Sequence, residues 1–353
     1  MSSAHEGLAV GRPAQREMKT AMQFAVFAAL LAVSLLVSVT VGRYAVPVDR
    51  ALSIIWTSLF DPTALPAGID ERIVWLVRVP RVILAGLCGA GLAISGAALQ
   101  GVFRNPLVSP QVLGISQGAA FGGALAISLG IWGLPLLALV FVFGLSALAL
   151  VGAIARIDGR TQIVTVILSG MVVGALFSAF VSLLQYFADP NSSLPAIVYW
   201  LLGSFATATW ERVGIAAPGI IVGVVVLWAL RFRLNVLSLE EAEARSLGAR
   251  PDLERWLIFA MVALVVGAQV AVSGIVGWIG LVIPHACRLI VGHDHRKLLP
   301  AAAILGAAYL IGVDTLARTL TAAEIPLGVL TAIVGAPVFA LLLRQHYRER
   351  SAR

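Results

Sequence analysis

The uncharged run from Asn105 to Ala155 constrains this chain more than any other feature: 51 residues pass without one Asp, Glu, Lys or Arg. A helix needs roughly 20 apolar residues to cross the hydrocarbon core of a bilayer, so this run crosses more than once. The turn-forming "GIWGLP" at 130–135 is the natural break. Further uncharged runs of bilayer length stand at 82–103, 161–188, 213–230, 256–287 and 325–343. Of the 353 residues, 59% are hydrophobic and 12% charged, about half the charge of a typical soluble domain. These features define an all-α polytopic membrane protein.

Ten spans are expected, at 21–42, 80–102, 109–129, 133–155, 161–187, 213–231, 255–273, 275–292, 299–318 and 325–344. The first is too long for the apolar part of a signal peptide and is followed by no small-x-small cleavage site. An even count puts both termini on one side. With the N-terminus inside, 18 of the 25 basic residues fall on the cytoplasmic side and Arg43, Arg50, Arg72, Arg78, Arg81, Arg212 and Arg318 fall outside. Positive charge is retained in the cytoplasm, so this orientation is favoured. That bias accounts for the basic character of the chain, and no nucleic-acid partner is expected. The organisation is a cytoplasmic tail at 1–20, a membrane domain at 21–344 and a cytoplasmic tail at 345–353. Cys88 and Cys287 both fall in apolar segments and read as small apolar fillers, not a disulfide framework.

Two connections are too patterned to be plain loops. On the outside, 188–213 contains an apolar, aromatic run of about ten residues, too short to span, which reads as a short helix at the membrane face. On the inside, 231–255 is the longest cytoplasmic loop. Its centre, Ser238 to Leu247, reads as a helix capped by Ser238 or Asn235, with acids in its first turn and Arg245 in its last. Gly248 stops it. Leu239, Ala242 and Leu247 leave one face partly apolar.

Three clusters carry functional expectations. Arg78 and Arg81 in "RVPR", with Arg318 near the outer end of the ninth span, are costly so close to hydrocarbon. They are either snorkelling anchors or a cationic ring that grips carboxylates of a partner. Asp314, four residues before Arg318, shares a helix face with it and is its expected ion-pair partner. The stretch "RNPLVSPQVLGISQGAA" (104–120) places irregular polar backbone at the inner membrane face. Such backbone is tolerated at that depth only where protein or a water-filled cavity covers it. It reads either as a tight turn or as a gate lining involving Asn105, Pro106 and Leu107. His285, after a proline within a span, reads as a packing histidine. The "HDH" at 293–295 is disfavoured as a metal site by the adjacent Arg296 and Lys297.

Absences narrow the function further. No G-x-x-x-x-G-K-[ST] is present, so the chain does not hydrolyse nucleotide and no catalytic residue is expected. Asp314 is the only carboxylate within an expected span, which argues against an ion-coupled secondary transporter, since those usually carry more intramembrane ionisable groups. The energy for transport is therefore expected from a separate ATPase.

Four segments in order, "RVPRVILAGLCGAGLAISGAALQGVFRNPLVSPQVLGISQGAAFG", "LSLEEAEARSLGA", "GIVGWIGLVIPHACRLIVGHDHRKLLP" and "DTLARTLTAAEIPLGVLTAIVGAPVFALLL", strongly resemble the FecCD family, the permease subunits of type II ABC importers. The match runs over about residues 70–344. The resemblance implies a ten-helix type II importer fold, a homodimer in the bacterial inner membrane, two cytoplasmic ATPase subunits that bind ATP and magnesium, and a periplasmic substrate-binding protein. It implies no cofactor or metal in this chain. It places binding-protein docking on Arg78, Arg81 and Arg318, and ATPase coupling on Glu240, Glu241, Arg245, Leu247 and Gly248. It puts the inner gate near Asn105, Pro106 and Leu107. The expected cargo is an iron chelate, a ferric siderophore or haem; cobalamin and an oxyanion such as molybdate are the alternatives. Tyr186, Tyr199, Trp200 and Phe205 are weaker candidates for substrate contact.

Overall fold

The computed structural model describes residues 7–61, 68–157 and 160–351. Fourteen helices carry the fold. The first three are α1 (Gly7–Thr40), α2 (Val48–Phe60) and α3 (Ile69–Val102). Next come α4 (Ile115–Ser128), α5 (Leu134–Ala155), α6 (Ile163–Phe187) and the short α7 (Ser193–Leu202). Then follow α8 (Trp210–Ala229), α9 (Arg231–Leu237), α10 (Glu241–Ser246) and α11 (Pro251–Ser273). The last are α12 (Ile279–Val291), α13 (His295–Thr319) and α14 (Leu327–Ser351). Among the described residues the only ladder is a two-residue antiparallel pairing of Arg156 with Thr161 and Ile157 with Arg160.

Every expected span coincides with a helix, but not every helix is long enough to cross alone. Seven are long and apolar enough among the described residues: α1 from Glu17, α3, α5, α6, α8, α11 and α13. The expected spans at 109–129, 275–292 and 325–344 fall on the 14-residue α4, the 13-residue α12 and the apolar part of α14, Leu327–Leu341. A 13-residue helix is about 20 Å long, short of the roughly 30 Å hydrocarbon core. Helix begins at Gly7 and continues to Ser351, so much of the expected 1–20 and 345–353 tails is helical.

Two features were not expected. α2 is amphipathic, burying Ala51 and Ile54 while Leu52, Trp56, Leu59 and Phe60 stay exposed. α3 begins eleven residues before the expected start at 80, and its Arg72–Arg78 segment is a π-helix. Pro80 supplies the cause, because it has no N–H to donate and its ring crowds the preceding turn, which widens.

α3 and α13 pack backbone against backbone. A Cβ on Gly89 would sit 2.2 Å from the Gly306 carbonyl oxygen, so only the absence of side chains lets these backbones touch. α12 approaches α3 as closely, with Gly96 against the Gly280 carbonyl. The molecule therefore has a glycine-packed centre and two functional ends. At one, α1 and α13 finish and α3 starts. At the other, α3 finishes, α13 starts and α9–α10 lie. α13, with 25 residues, separates them by about 37 Å.

Candidate functional site

At the first end the three arginines come together, but as buried groups and not as an exposed ring. Arg78, Arg81 and Arg318 retain only 4%, 6% and 8% exposure. Arg81 forks onto Asp314, with Nε 2.8 Å from Oδ2 and Nη2 2.9 Å from Oδ1. Its far edge meets Glu324, with Nη1 and Nη2 each 2.9 Å from one carboxylate oxygen. Arg78 donates to the carbonyls of Val39 (2.6 Å), Thr40 (2.9 Å) and Tyr44, and Arg318 donates to the carbonyl and hydroxyl of Ser38. These bonds tie α1 to both α3 and α13. Gly42 admits the arrangement: a Cβ there would collide with the guanidinium groups of Arg78 and Arg318.

The expected Asp314–Arg318 pair is therefore corrected. Asp314 salt-bridges Arg81, 233 residues away, although the i,i+4 spacing offers Arg318. The fork of a guanidinium over a carboxylate satisfies two buried charges at once, which an i,i+4 contact on one helix face does not do. Glu324 was missed as a site residue. It lies in the polar connection before Pro326, where nothing in the local pattern signals a long-range partner. Burial would raise its pKa, but the hydrogen bond and charge of Arg81 outweigh this and hold it below the ordinary carboxylate value.

The second end is exposed. α10 is shorter than expected, and its caps differ. Ser238 donates its hydroxyl to the Asn235 carbonyl (2.7 Å), and the Asn235 side chain is turned away to Asp294 (2.7 Å) and the His295 N–H (2.9 Å). Neither caps α10; Glu240, with extended backbone, occupies that position. The stop is as expected: Gly248 is left-handed at φ 76° and its N–H bonds the Arg245 carbonyl.

The polar face of α10 is braced. Glu241 accepts from Arg245 (2.9 Å) and from Arg255 (3.2 Å), and Arg245 reaches Asp252 (3.4 Å). The hydrogen bond from Arg245 is the largest influence on Glu241 and, together with Arg255, outweighs the opposing effect of burial and holds its pKa below the ordinary value. Ala244 is buried beneath, while Leu239 and Leu247 are 40% and 59% exposed. Glu240 and Gly248 are exposed beside them.

The "RNPL" turn is an ordered structure joined to this end. Arg104 adopts φ 51°, Asn105 Oδ1 accepts the Leu107 N–H (2.9 Å), and the Asn105 N–H bonds the Gln100 carbonyl. Pro106 and Leu107 project outward, both exposed. Arg104 Nη1 reaches the Leu239 carbonyl at 3.4 Å, linking the turn to the approach of α10. Gln100, buried, donates to the carbonyls of Val108 and Gly280 and accepts from Arg288, pinning turn to α12. The backbone continues through a 3-10 turn at Pro110–Leu113, and left-handed Gly114 lies against the backbone of Gly170 and Gly174 on α6. Val108, Pro110 and residues 113–116 of the stretch are thus buried against protein, while Arg104, Pro106, Leu107 and Gln111 are exposed.

The aromatic candidates separate. Tyr186 (82% exposed) and Tyr199 (51%) are open, and Trp200 is half-buried against Gly123. Phe205 is fully buried in the core, so its expected substrate contact is corrected to packing. His285 packs edge-on to Phe339, with ring centroids 6.0 Å apart. Asp294 is used as the N-cap of α13 and is paired with Arg296, whose hydrogen bond first and that of Asn235 next drive its pKa far down. Among the described residues no group of three or more His, Cys, Asp or Glu could hold a metal.

An all-helical, multi-pass membrane permease is the class these elements define. The family model for the FecCD transport family matches residues 30–345. The molybdate import system permease protein MolB of Haemophilus influenzae is 43% identical over 89% of this chain and 93% of its own. The cobalamin import system permease protein BtuC of Halobacterium salinarum is 41% identical over 89% and 86%. A solved structure described as an inward-facing conformation of a putative metal-chelate type ABC transporter superposes with a TM-score of 0.83 at 41% identity, covering 92% of this chain and 99% of that one. The chain belongs to the FecCD transport family and is an ABC importer permease.

Proposed function

We propose that two copies of this chain form the pathway of an inner-membrane importer that carries a metal-centred solute inward by alternating access, with ten membrane-embedded helices per copy and both termini cytoplasmic. The observation that carries the reading is α10. Its polar face is braced by Arg245, Arg255 and Asp252, while Leu239 and Leu247 are left uncovered at a charged surface. That pattern suits a short rigid helix seated in a groove of a separate ATPase, with Glu240, Glu241, Arg245, Leu247 and Gly248 at the contact. Closure of the ATPases on nucleotide shifts α10. The Arg104–Leu239 bond offers a route to Asn105, Pro106 and Leu107, where the cytoplasmic gate lies in this reading. An exposed stripe on α6, Leu168, Val172, Leu176, Phe180, Leu183 and Phe187, supports a facing second copy. Tyr186 lies open for passing cargo.

At the opposite face, the binding protein docks over Arg78, Arg81 and Arg318. Because these are already paired, docking is an exchange: a carboxylate of the incoming protein replaces Glu324, whose side chain is 23% exposed, on Arg81. The likeness to a metal-chelate transporter supports an iron chelate as cargo, and the molybdate permease at 43% identity supports an oxyanion as the second reading.

The decisive experiment is reconstitution into proteoliposomes with the cognate ATPase and binding protein, comparing uptake of labelled ferric chelate and molybdate. ATP-dependent uptake needing all three components is expected. Leu247→Asp should lower ATPase co-purification and uptake at least about tenfold, the factor carried by about 1.4 kcal/mol of lost contact. Uptake driven by an ion gradient without ATPase would overturn the reading.

A further inference from the structure

The wall between α5, α7, α8 and α11 opens into a cavity of about 540 Å³ at the end where α5 and α8 begin. Leu136 and Leu137 line it as buried apolar side chains with Ile215 beside them, and Leu134, Trp132 and Tyr199 stand exposed around it. Arg212 enters it half-buried. Its recorded acceptors are both neutral, the Thr207 hydroxyl at 2.5 Å and the Val272 carbonyl at 3.5 Å. Among the described residues Arg212 makes no salt bridge, although exposed Glu211 lines the same cavity. A partly exposed guanidinium that is bonded only to neutral acceptors and faces an open cavity can still take an anionic group. Trp and Tyr rings such as these favour the headgroup level of a bilayer.

The far end of the α5–α11 seam shows a weaker version. There a cavity of about 670 Å³ is lined by Leu145, Leu148, Gly152, Arg156, Asp252 and Trp256. Asp252 is already engaged with Arg245 and Arg156 is exposed, so the chemistry is less complete there. The Arg212 cavity brings a cation without a salt bridge, an exposed acid and apolar side chains together.

We propose that this cavity holds one phospholipid with a zwitterionic phosphoethanolamine headgroup. The phosphate sits on Arg212 and the Thr207 hydroxyl, the ammonium on Glu211, and one acyl chain lies along Leu134, Leu137 and Ile215. Charge complementarity selects this occupant: a cation alone would favour any anionic headgroup, whereas the adjacent carboxylate repels a purely anionic one and pairs with an ammonium.

The test is native mass spectrometry of the purified chain from nanodiscs of equimolar phosphatidylethanolamine and phosphatidylglycerol. The wild type should retain one phosphatidylethanolamine per chain. Arg212→Gln should reduce retention roughly tenfold. Glu211→Gln should keep a lipid but lose the preference between the two headgroups. Ala206→Trp, which fills the exposed mouth without changing charge, should exclude both, and gel filtration checks that each variant remains folded. Retention unaffected by Arg212→Gln, no lipid above the nanodisc ratio in the wild type, or displacement by millimolar inorganic phosphate would each overturn the proposal. The last result would assign the site to a free anion.

Discussion

The two ends of α13 solve opposite problems with the same residue types. At its C-terminal end Arg81, Asp314 and Glu324 are folded into the protein, and Arg78 and Arg318 are spent on backbone carbonyls of α1. Near its N-terminal end, Glu241, Arg245 and Asp252 pair in the open, with side chains 40–54% exposed. Buried charges need partners, because one left alone carries its full desolvation cost. Exposed pairs contribute little to stability and are free to form a surface. The first end ties helices together around buried charges; the second leaves its ion pairs and Leu247 open to the surroundings.

The largest effect should follow from breaking the buried fork. Arg81→Leu leaves Asp314 facing its site without its main partner and should destabilise the protein by about 3–5 kcal/mol, read as a fall in thermal midpoint of the purified protein. The double variant Arg81→Leu with Asp314→Leu should recover much of that loss. A double variant no more stable than the single one would show that the fork is not the source.

Next in size is Asn235→Leu. It deprives Asp294 and the His295 N–H of a shared partner and should cost about 1–3 kcal/mol in the same assay.

Acid sharpens the contrast further. The Glu324 pKa is depressed in the folded state, so its stabilisation is complete above about pH 4.5 and is lost as pH falls through the lower folded value. The gap in thermal midpoint between wild type and Glu324→Gln should therefore close on acidification. Glu241 shifts in the same direction, but its exposure leaves it screened, and raising salt to about 1 M should erase its contribution while sparing Glu324.

The smallest stability change belongs to Leu247→Asp, within about 0.5 kcal/mol, even as coupling is lost. A large stability loss there would mean that α10 is a structural element and not a docking one.

Much of this was legible in the chain. Uncharged runs placed the long helices because hydrocarbon tolerates nothing else for that length. Gly248 ended α10 where its backbone freedom was needed. What escaped was long-range or geometric. Asp314 had a plausible neighbour four residues away, and only the fold shows Arg81 in a better position. Glu324, in an unremarkable loop, becomes a site residue only once α3 and α13 meet. Asn235 looked like a cap and is instead a bridge to Asp294. Phe205 looked available because its segment is short and aromatic, yet it is fully buried. α2 was too short to register as a span, and Pro80 hid the helical residues before it.

The backbone contact of Gly89 with Gly306 has a mechanical consequence. Ala93, Leu310 and Ile311 seat their side chains against the bare backbone of Gly306, Gly89 and Gly86, so a relative slide of either helix meets a steric block and a tilt of one should carry the other. A tilt of about 5° over a rod of about 37 Å carries its tip through about 3 Å. That is enough to part a hydrogen bond such as Arg104 to Leu239 at one end while the arginine fork at the other serves as the pivot.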